Sequence, residues 1–308
     1  MKRDFLSLSD YSSQEILNLL SLAKQLKLSP WQMSDLLKGK SIALIFQKPS
    51  NRTRVSFETG ISDLGGNAIY LGPQDLDLGK RESTSDIAQT LSRYIDGIVA
   101  RVFSHEDIIG LSKSSTVPVI NALSDLLHPC QALADLLTVQ ERFLTFRNIR
   151  FAYVGDGNNM VNSLLMACAK VGMSMSVATP KGYDPDPAQL HAARDIAERT
   201  GAEIHLTHDP KEAVEGARVV YTDTWVSMGQ EEESAERLQD FQGYQVDGDL
   251  MSRAAKDAIF MHCLPAHRGQ EVSADVIDGP RSVVFDEAEN RLHVQKAVMV
   301  HLFTFKHQ

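Results

Sequence analysis

Residues 41–58 read SIALIFQKPSNRTRVSFE, and two patterns of opposite character meet in the middle of that stretch. The first six residues form an apolar, β-rich run too short for a helix, which reads as a buried strand. After Pro49, Ser50 is a good N-cap, and Arg54, Phe57 and Ile61 continue at helical spacing. A strand, a short polar turn and a helix start make the repeating unit of a parallel sheet. The unit returns at 150–163, RFAYVGDGNNMVNS. Further strands are predicted at 68–72, 97–102, 118–123, 175–180, 203–208, 218–223 and 259–265. Helical patterns lie between them at 83–94, 129–143, 161–171 and 186–200. This alternation predicts α/β architecture with helices on both sheet faces. A long helical pattern ends near 138–150 and a fresh strand begins, which divides the chain into 1–140 and 148–288. The expected fold is therefore two doubly wound parallel-sheet domains, with the active site in the cleft between them. A last helix at about 290–308 is expected to pack back on the first domain.

The bulk composition narrows the function. With 308 residues, 43% of them hydrophobic and 23% charged, the chain is long enough for two ordinary α/β domains. A net charge of −9 opposes general binding to nucleic acid or to an acidic membrane, both of which need a positive surface. A few converging arginines could still reverse the field locally for a small anion. Cys130, Cys168 and Cys263 are odd in number and lack a CxxC pair, which favours a reducing cytosol over a disulfide framework. No transmembrane or signal pattern is visible, so the expected location is cytoplasmic.

In parallel α/β sheets, ligands collect outside the carboxyl ends of strands. Polar residues sit there repeatedly in this chain: 47–54, Arg101, 128–131, 156–162, Asp223 and Cys263. At 46–58, the free N–H groups of a helix start combine with Ser50, Arg52 and Thr53 into a phosphate cradle. Arg52 and Arg54 stand about 200° apart around a helix, so Arg52 is assigned to the ligand and Arg54 to structure. An ordinary capped helix with solvated arginines is the competing reading, at about even odds for this segment alone. His128 and Gln131 share a face of a helix's first turn and could both donate to one carbonyl oxygen. A lone His is more often a core or cap residue.

The turn at 153–163 imitates a dinucleotide fingerprint, but Met160 stands at the third glycine position and no acid ends the next strand. Asn158, Asn159 and Asn162 could bind a carboxylate instead. Asp223 offers a partner for an ammonium group, and Ser227, Met228 and Gly229 follow as a loop able to close. His262, Cys263 and His267 invite a zinc reading, but no second Cys/His pair lies nearby, so no metal site is expected.

Taken together, these segments resemble the aspartate/ornithine carbamoyltransferase family, and within it the ornithine-specific branch, over nearly the whole chain. The family's Ser-Thr-Arg-Thr-Arg phosphate motif corresponds to 50–54, and His-Pro-x-Gln to 128–131. Asp-x-x-x-Ser-Met-Gly corresponds to 223–229, and His-Cys-Leu-Pro to 262–265. Glu289-Asn290-Arg291 with AVMV at 297–300 also resembles this branch. The resemblance implies that Ser50, Asn51, Arg52 and Thr53 hold the phosphate of carbamoyl phosphate, with Arg101 bridging phosphate and carbonyl. It implies that His128 and Gln131 polarise the carbamoyl group and that Arg291 closes the site. Asn162, Asp223, Ser227 and Met228 would bind the amino-acid end of L-ornithine, and Cys263 and Leu264 would sit beside the reacting amine. A homotrimer is also implied. Asn51 replaces the usual Thr, and Asp77 stands where the family usually carries Gln or His reaching into a neighbouring subunit, so Asp77 is left out of the site.

The implied reaction needs no cofactor. A neutral δ-amine attacks the carbamoyl carbon directly, an oxyanion forms, and phosphate leaves without a covalent intermediate. The expected catalytic set is Arg101, His128, Gln131 and Cys263. Rival readings are aspartate, N-acetylornithine or putrescine as the amine, a nicotinamide-dependent dehydrogenase, and a non-catalytic binding member of the family.

Overall fold

The computed structural model describes residues 2–76, 82–226 and 231–304, and these fall into two compact units. The first takes the chain up to Leu137 and resumes at Glu289, and the second runs from Thr138 to Ala288. Both units are α/β with parallel sheets.

In the first unit, β1 (Ser41–Phe46), β2 (Asn67–Leu71), β3 (Gly97–Arg101) and β4 (Val119–Leu123) pair in the order β2-β1-β3-β4, all parallel. In the second, β5 (Arg150–Val154), β6 (Ser174–Ala178), β7 (Ile204–Thr207), β8 (Val219–Tyr221) and β9 (Ile259–Met261) pair in the order β7-β6-β5-β8-β9, again all parallel. The central strands are buried along nearly their whole length, as β3 is at every residue. Such strands read as continuous apolar runs because helices cover both faces. All nine predicted strands are present. Several stop one to four residues early. The largest difference is at 259–265, where only Ile259–Met261 is strand.

The strand order reverses between β1 and β3 in one sheet and between β5 and β8 in the other. At such a point the flanking crossovers leave toward opposite faces, and a crevice opens at the carboxyl ends. The segment 47–54 and Arg101 follow β1 and end β3, whereas 155–162 and Asp223 follow β5 and β8. Topology thus selects, from all the strand ends, the segments rich in Ser, Arg, Asn and Asp.

The first unit contains one long-range element that the sequence reading made too short. The last helix runs Val284–Thr304, six residues longer at its start than expected, and its part from Glu289 onward belongs to this unit. Phe303 lies over Gly97, where an added Cβ would come within 2.4 Å of the ring. Lys296, Met299 and Leu292 cover Gly60 at 3.1, 3.3 and 3.4 Å from the same kind of Cβ. These two glycines allow the helix to approach closely. The segment before β1 also joins the sheet edge: Phe5 N–H donates to Val119 at 2.8 Å, and Asn121 N–H donates back to Phe5. Among the described residues, no helix is long and apolar enough to cross a membrane.

Candidate active site

In the first unit the helix Asn51–Asp63 starts directly after β1 and a short turn. Ser50 is its N-cap, with Oγ accepting the Thr53 N–H at 3.3 Å. The exposed Asn51 side chain accepts the Arg52 N–H at 2.7 Å. Two donors of the helix end are therefore covered by short polar side chains, and an anion would displace the exposed one. Arg54 turns away, bonding Glu58 at 2.9 Å and lying 3.7 Å over the Tyr70 ring. Its structural role agrees with the angular argument from sequence.

His128 precedes the helix Pro129–Phe143, whose first residue is the proline; the His128 carbonyl accepts the N–H groups of Gln131 and Ala132, each at 3.2 Å. Pro suits that first position because its missing N–H would be unpaired there anyway. His128 is buried, and burial holds its imidazole well below the usual range, reinforced by the positive charges of Arg291, Arg101 and Arg52. It is therefore neutral near pH 7 and carries one N–H. The positive charge of Arg291, Arg101 and Arg52 thus acts on one neutral imidazole.

Gln131 is gripped at both ends of its amide. Arg291 Nη1 donates to Oε1 at 2.6 Å, while Nε2 donates to Asp135 at 2.8 Å. Arg291 Nη2 also reaches Thr53 Oγ1 at 3.3 Å. Thr53, Gln131 and Arg291 thus form one bonded group with Ser50 beside it. Asp135 was missed in the sequence, although it lies one helical turn beyond Gln131 within an apolar run. Cys130 is no nucleophile: burial pushes its thiol up to about 12.

In the second unit the helix Asn159–Val171 follows β5, and Asn158 is its N-cap, accepting from Met160 at 2.9 Å and Val161 at 3.4 Å. Gly157 has no room for a side chain, since a Cβ would stand 2.3 Å from the Tyr183 carbonyl oxygen. The resemblance to a nucleotide-binding turn is therefore local packing of that turn against residues 183–184. With its oxygen committed to the cap, Asn158 turns Nδ2 to Asp223 Oδ2 at 2.8 Å. Asp223 Oδ1 accepts the Thr224 N–H at 2.8 Å and the Cys263 S–H at 3.0 Å. Asn162 lends Oδ1 to the Asp186 N–H at 3.0 Å, which points its amide nitrogen the other way.

Asp156 is paired with Arg237 at 3.1 Å. Burial nevertheless pushes its carboxyl up to about 6, against the pull of Arg237 and with help from the charge of Asp223. Arg237 also donates to the Trp225 carbonyl at 3.1 Å and to Glu233 at 2.9 Å, clasping residues on both sides of 227–230. Ser227 and Met228, the remaining predicted ornithine ligands, lie outside the described residues, as does Asp77. Asp223, His262 and Cys263 offer donor atoms within 4.8 Å of one another. Both His262 nitrogens are engaged within the protein, however, one by the Leu264 N–H and one by Glu271.

Residues 3–141 match the carbamoyl-P binding domain, and residues 147–302 the Asp/Orn binding domain, of aspartate/ornithine carbamoyltransferases. The chain belongs to the aspartate/ornithine carbamoyltransferase family. The ornithine carbamoyltransferase of Symbiobacterium thermophilum is 53% identical over 299 residues, covering 96% of each chain. The anabolic enzyme of Pyrococcus furiosus is also 53% identical, over 96% of this chain and 95% of its own. The ornithine carbamoyltransferase structure from P. furiosus superimposes with a TM-score of 0.96 at 51% identity, covering 99% of this chain and 98% of that one. The anabolic enzyme structure from Campylobacter jejuni gives 0.93 at 43% identity, covering 98% and 99%. Arg52, Arg101 and His128 fall among the residues matched by the carbamoyl-P binding domain, whereas Asp223, Cys263 and Arg291 fall among those matched by the Asp/Orn binding domain.

Proposed function

We propose that this chain transfers the carbamoyl group of carbamoyl phosphate to the δ-amine of L-ornithine, giving L-citrulline and phosphate, in the biosynthetic direction that leads to arginine. Ser50, Asn51, Arg52 and Thr53 hold the phosphate; Arg101 serves phosphate and carbonyl; His128, Gln131 and Arg291 complete the carbamoyl phosphate site. Asn162 takes the carboxylate of ornithine, and Asp223, Ser227 and Met228 its amino group. Cys263 and Leu264 meet the reacting end. The observation that best supports the choice of amine is the Cys263–Asp223 hydrogen bond, 3.0 Å long. It joins an anionic partner for an aminium to a thiol, and offers little to a dicarboxylate such as aspartate.

The chemistry follows from the charges. The free δ-amine has a lysine-like pKa of about 10, so the reactive neutral form is scarce and the bound aminium must give up a proton before it attacks. Acceptors of suitable character are the departing phosphate and the Cys263–Asp223 pair. Attack on the carbamoyl carbon moves negative charge to the carbonyl oxygen. Neutral His128 and the Arg101 guanidinium are donors in place before that charge develops, and one such donor is commonly worth ~10²–10³ in rate. Arg52 and Arg101 then neutralise the phosphate as it leaves. Holding two substrates in reacting geometry removes the need for a covalent step.

A homotrimer in the cytoplasm completes the reading. None of Cys130, Cys168 and Cys263 forms a disulfide, which favours a reducing compartment, and sedimentation equilibrium tests the trimer. The function itself is tested by purified protein with carbamoyl phosphate and a panel of ornithine, N-acetylornithine, putrescine, aspartate and lysine. Citrulline formation at least tenfold above every other product is expected. A preference for any other amine would overturn the assignment.

A further inference from the structure

The chain leaves the second sheet at His262, the residue after β9, and turns sharply through Cys263 and Leu264. Leu264 stands at φ 57°, a left-handed setting that side-chain-bearing residues rarely adopt. Something must hold it there. The Leu264 N–H donates to His262 Nδ1 at 2.9 Å, so that nitrogen carries a lone pair and the ring proton sits on Nε2. Nε2 in turn meets Glu271 Oε1 at 3.1 Å. The same oxygen accepts the His267 N–H at 2.6 Å. The His262 backbone N–H is held separately, by Glu287 Oε2 at 2.9 Å. His262 and Glu271 are both wholly shielded from solvent.

We propose that Glu271 is a positioning residue for the amine-binding end of the site, acting through the tautomer of His262 on the turn that carries Cys263 and Leu264. One carboxylate oxygen ties both limbs of the turn: it fixes the imidazole proton on Nε2 and anchors the chain again at His267. Without an acceptor there, the buried Nε2–H loses its partner, and the preference over the other tautomer shrinks. That tautomer points an N–H at the Leu264 N–H, donor against donor, and releases the strained residue. Cys263, between the two, then loses its fixed approach to Asp223 Oδ1. Glu271 touches no substrate in this scheme; its effect is transmitted by geometry, and misplacement of a reacting or binding group by about 1 Å can cost roughly 10²-fold.

The inference rests on Cys263 and Leu264 meeting ornithine, so its test separates the two ideas. Cys263 is part-exposed whereas Cys130 and Cys168 are buried, so native alkylation by iodoacetamide, followed by mass spectrometry, reports on the turn without any substrate. In the E271L protein, a change of at least tenfold in the Cys263 alkylation rate is expected. The ornithine KM should rise about 10- to 100-fold, with the carbamoyl phosphate KM within about twofold. E271Q supplies an acceptor oxygen in the same place and should recover most of both losses. If E271L does not fold, H262N and H262Q decide. Asparagine can still accept from Leu264 but cannot reach Glu271, and the inference requires it to raise the ornithine KM. A folded E271L or H262N protein with wild-type alkylation rate and ornithine KM would overturn the inference. So would a failure of E271Q to rescue, or an equal rise in both KM values. An unchanged ornithine KM in C263A would instead sink the role of Cys263, while the alkylation rates still decide whether Glu271 holds the turn.

Discussion

Replacing Asp223 by asparagine keeps the shape of the side chain, removes one charge and turns one acceptor into a donor. Asparagine can be placed two ways, and neither satisfies its neighbours. With the amide nitrogen at the Oδ2 position it faces Asn158 Nδ2 at 2.8 Å, donor to donor. Asn158 cannot flip in response, because its oxygen caps the helix Asn159–Val171 through Met160 and Val161. With the nitrogen at the Oδ1 position it faces the Thr224 N–H at 2.8 Å and the Cys263 S–H at 3.0 Å. One or two hydrogen bonds to a charged, largely buried acceptor are lost either way, each worth ~1.5–3 kcal/mol. For ligand binding the missing charge matters more. A unit pair about 4 Å apart contributes ~4 kcal/mol at the effective dielectric of a protein surface. Desolvation of the ammonium offsets part of this, leaving ~2–3 kcal/mol, or about 30- to 150-fold in affinity.

The expected outcome for D223N is therefore an ornithine KM raised by about two orders of magnitude, with the carbamoyl phosphate KM nearly unchanged. Initial rates of citrulline formation at saturating carbamoyl phosphate give the first value, and the converse titration gives the second. Circular dichroism and the thermal midpoint establish that the variant is folded. A folded D223N protein whose ornithine KM stays within threefold of wild type would refute the assignment of Asp223 to the amine substrate.

Three other outcomes are expected. R52A should abolish turnover mainly through lost carbamoyl phosphate binding, measured by calorimetry with the intact substrate or a phosphonate analogue, whereas R54A, whose side chain is committed to Glu58 and Tyr70, should leave that affinity within about twofold; equal losses in the two variants would refute the division of labour. Because the Asp156 carboxyl is raised to about 6 in the folded protein from 3.8, the folded state holds its proton more tightly than the unfolded chain does. Its contribution to stability is therefore present below about pH 4 and is lost as pH rises through about 6. Wild type should lose stability relative to D156N over that window in denaturant titrations, and a pH-independent difference would contradict the shift. G157A should destabilise the protein by ~1–3 kcal/mol, since the new methyl meets backbone at Tyr183 and Asp184 and no flexible side chain can yield; unchanged urea midpoints would refute that.

Much of this architecture was legible because it depends on local pattern. Short apolar runs such as 41–46 and 150–154 stay buried on both faces, so their character survives in any window of sequence. The polar strand ends were legible for the complementary reason that packing gives no cause to place Arg101 or Asp223 there. Other features depend on partners far away in the chain. Nothing near Glu271 or Glu287 marks them as ligands of residue 262, and the expected strand at 259–265 was too long because the diversion of the His262 N–H to Glu287 is not written locally. Arg237 carries no local mark of its role, yet it binds Asp156 and Trp225. Asp135 was the exception: its spacing from Gln131 was a local signal, and it was passed over.

The two groups of residues also differ in the sign of the charge they present. Around His128 stand Arg52, Arg101 and Arg291, and their field depresses an imidazole that burial already keeps neutral. A cationic amine entering there would meet the same repulsion that His128 feels as imidazolium. In the second unit the influence runs the other way: Asp223 raises the carboxyl of Asp156 even with Arg237 paired to it. A phosphate dianion placed beside Asp223 would add to that repulsion. A protein of net charge −9 can accordingly take up a dianion, because the field that matters is set by a few buried groups at close range while distant surface charges are screened within about 8–10 Å. The prediction that follows is directional: removing one arginine should weaken the anion and leave the amine's affinity alone, and neutralising Asp223 should do the reverse.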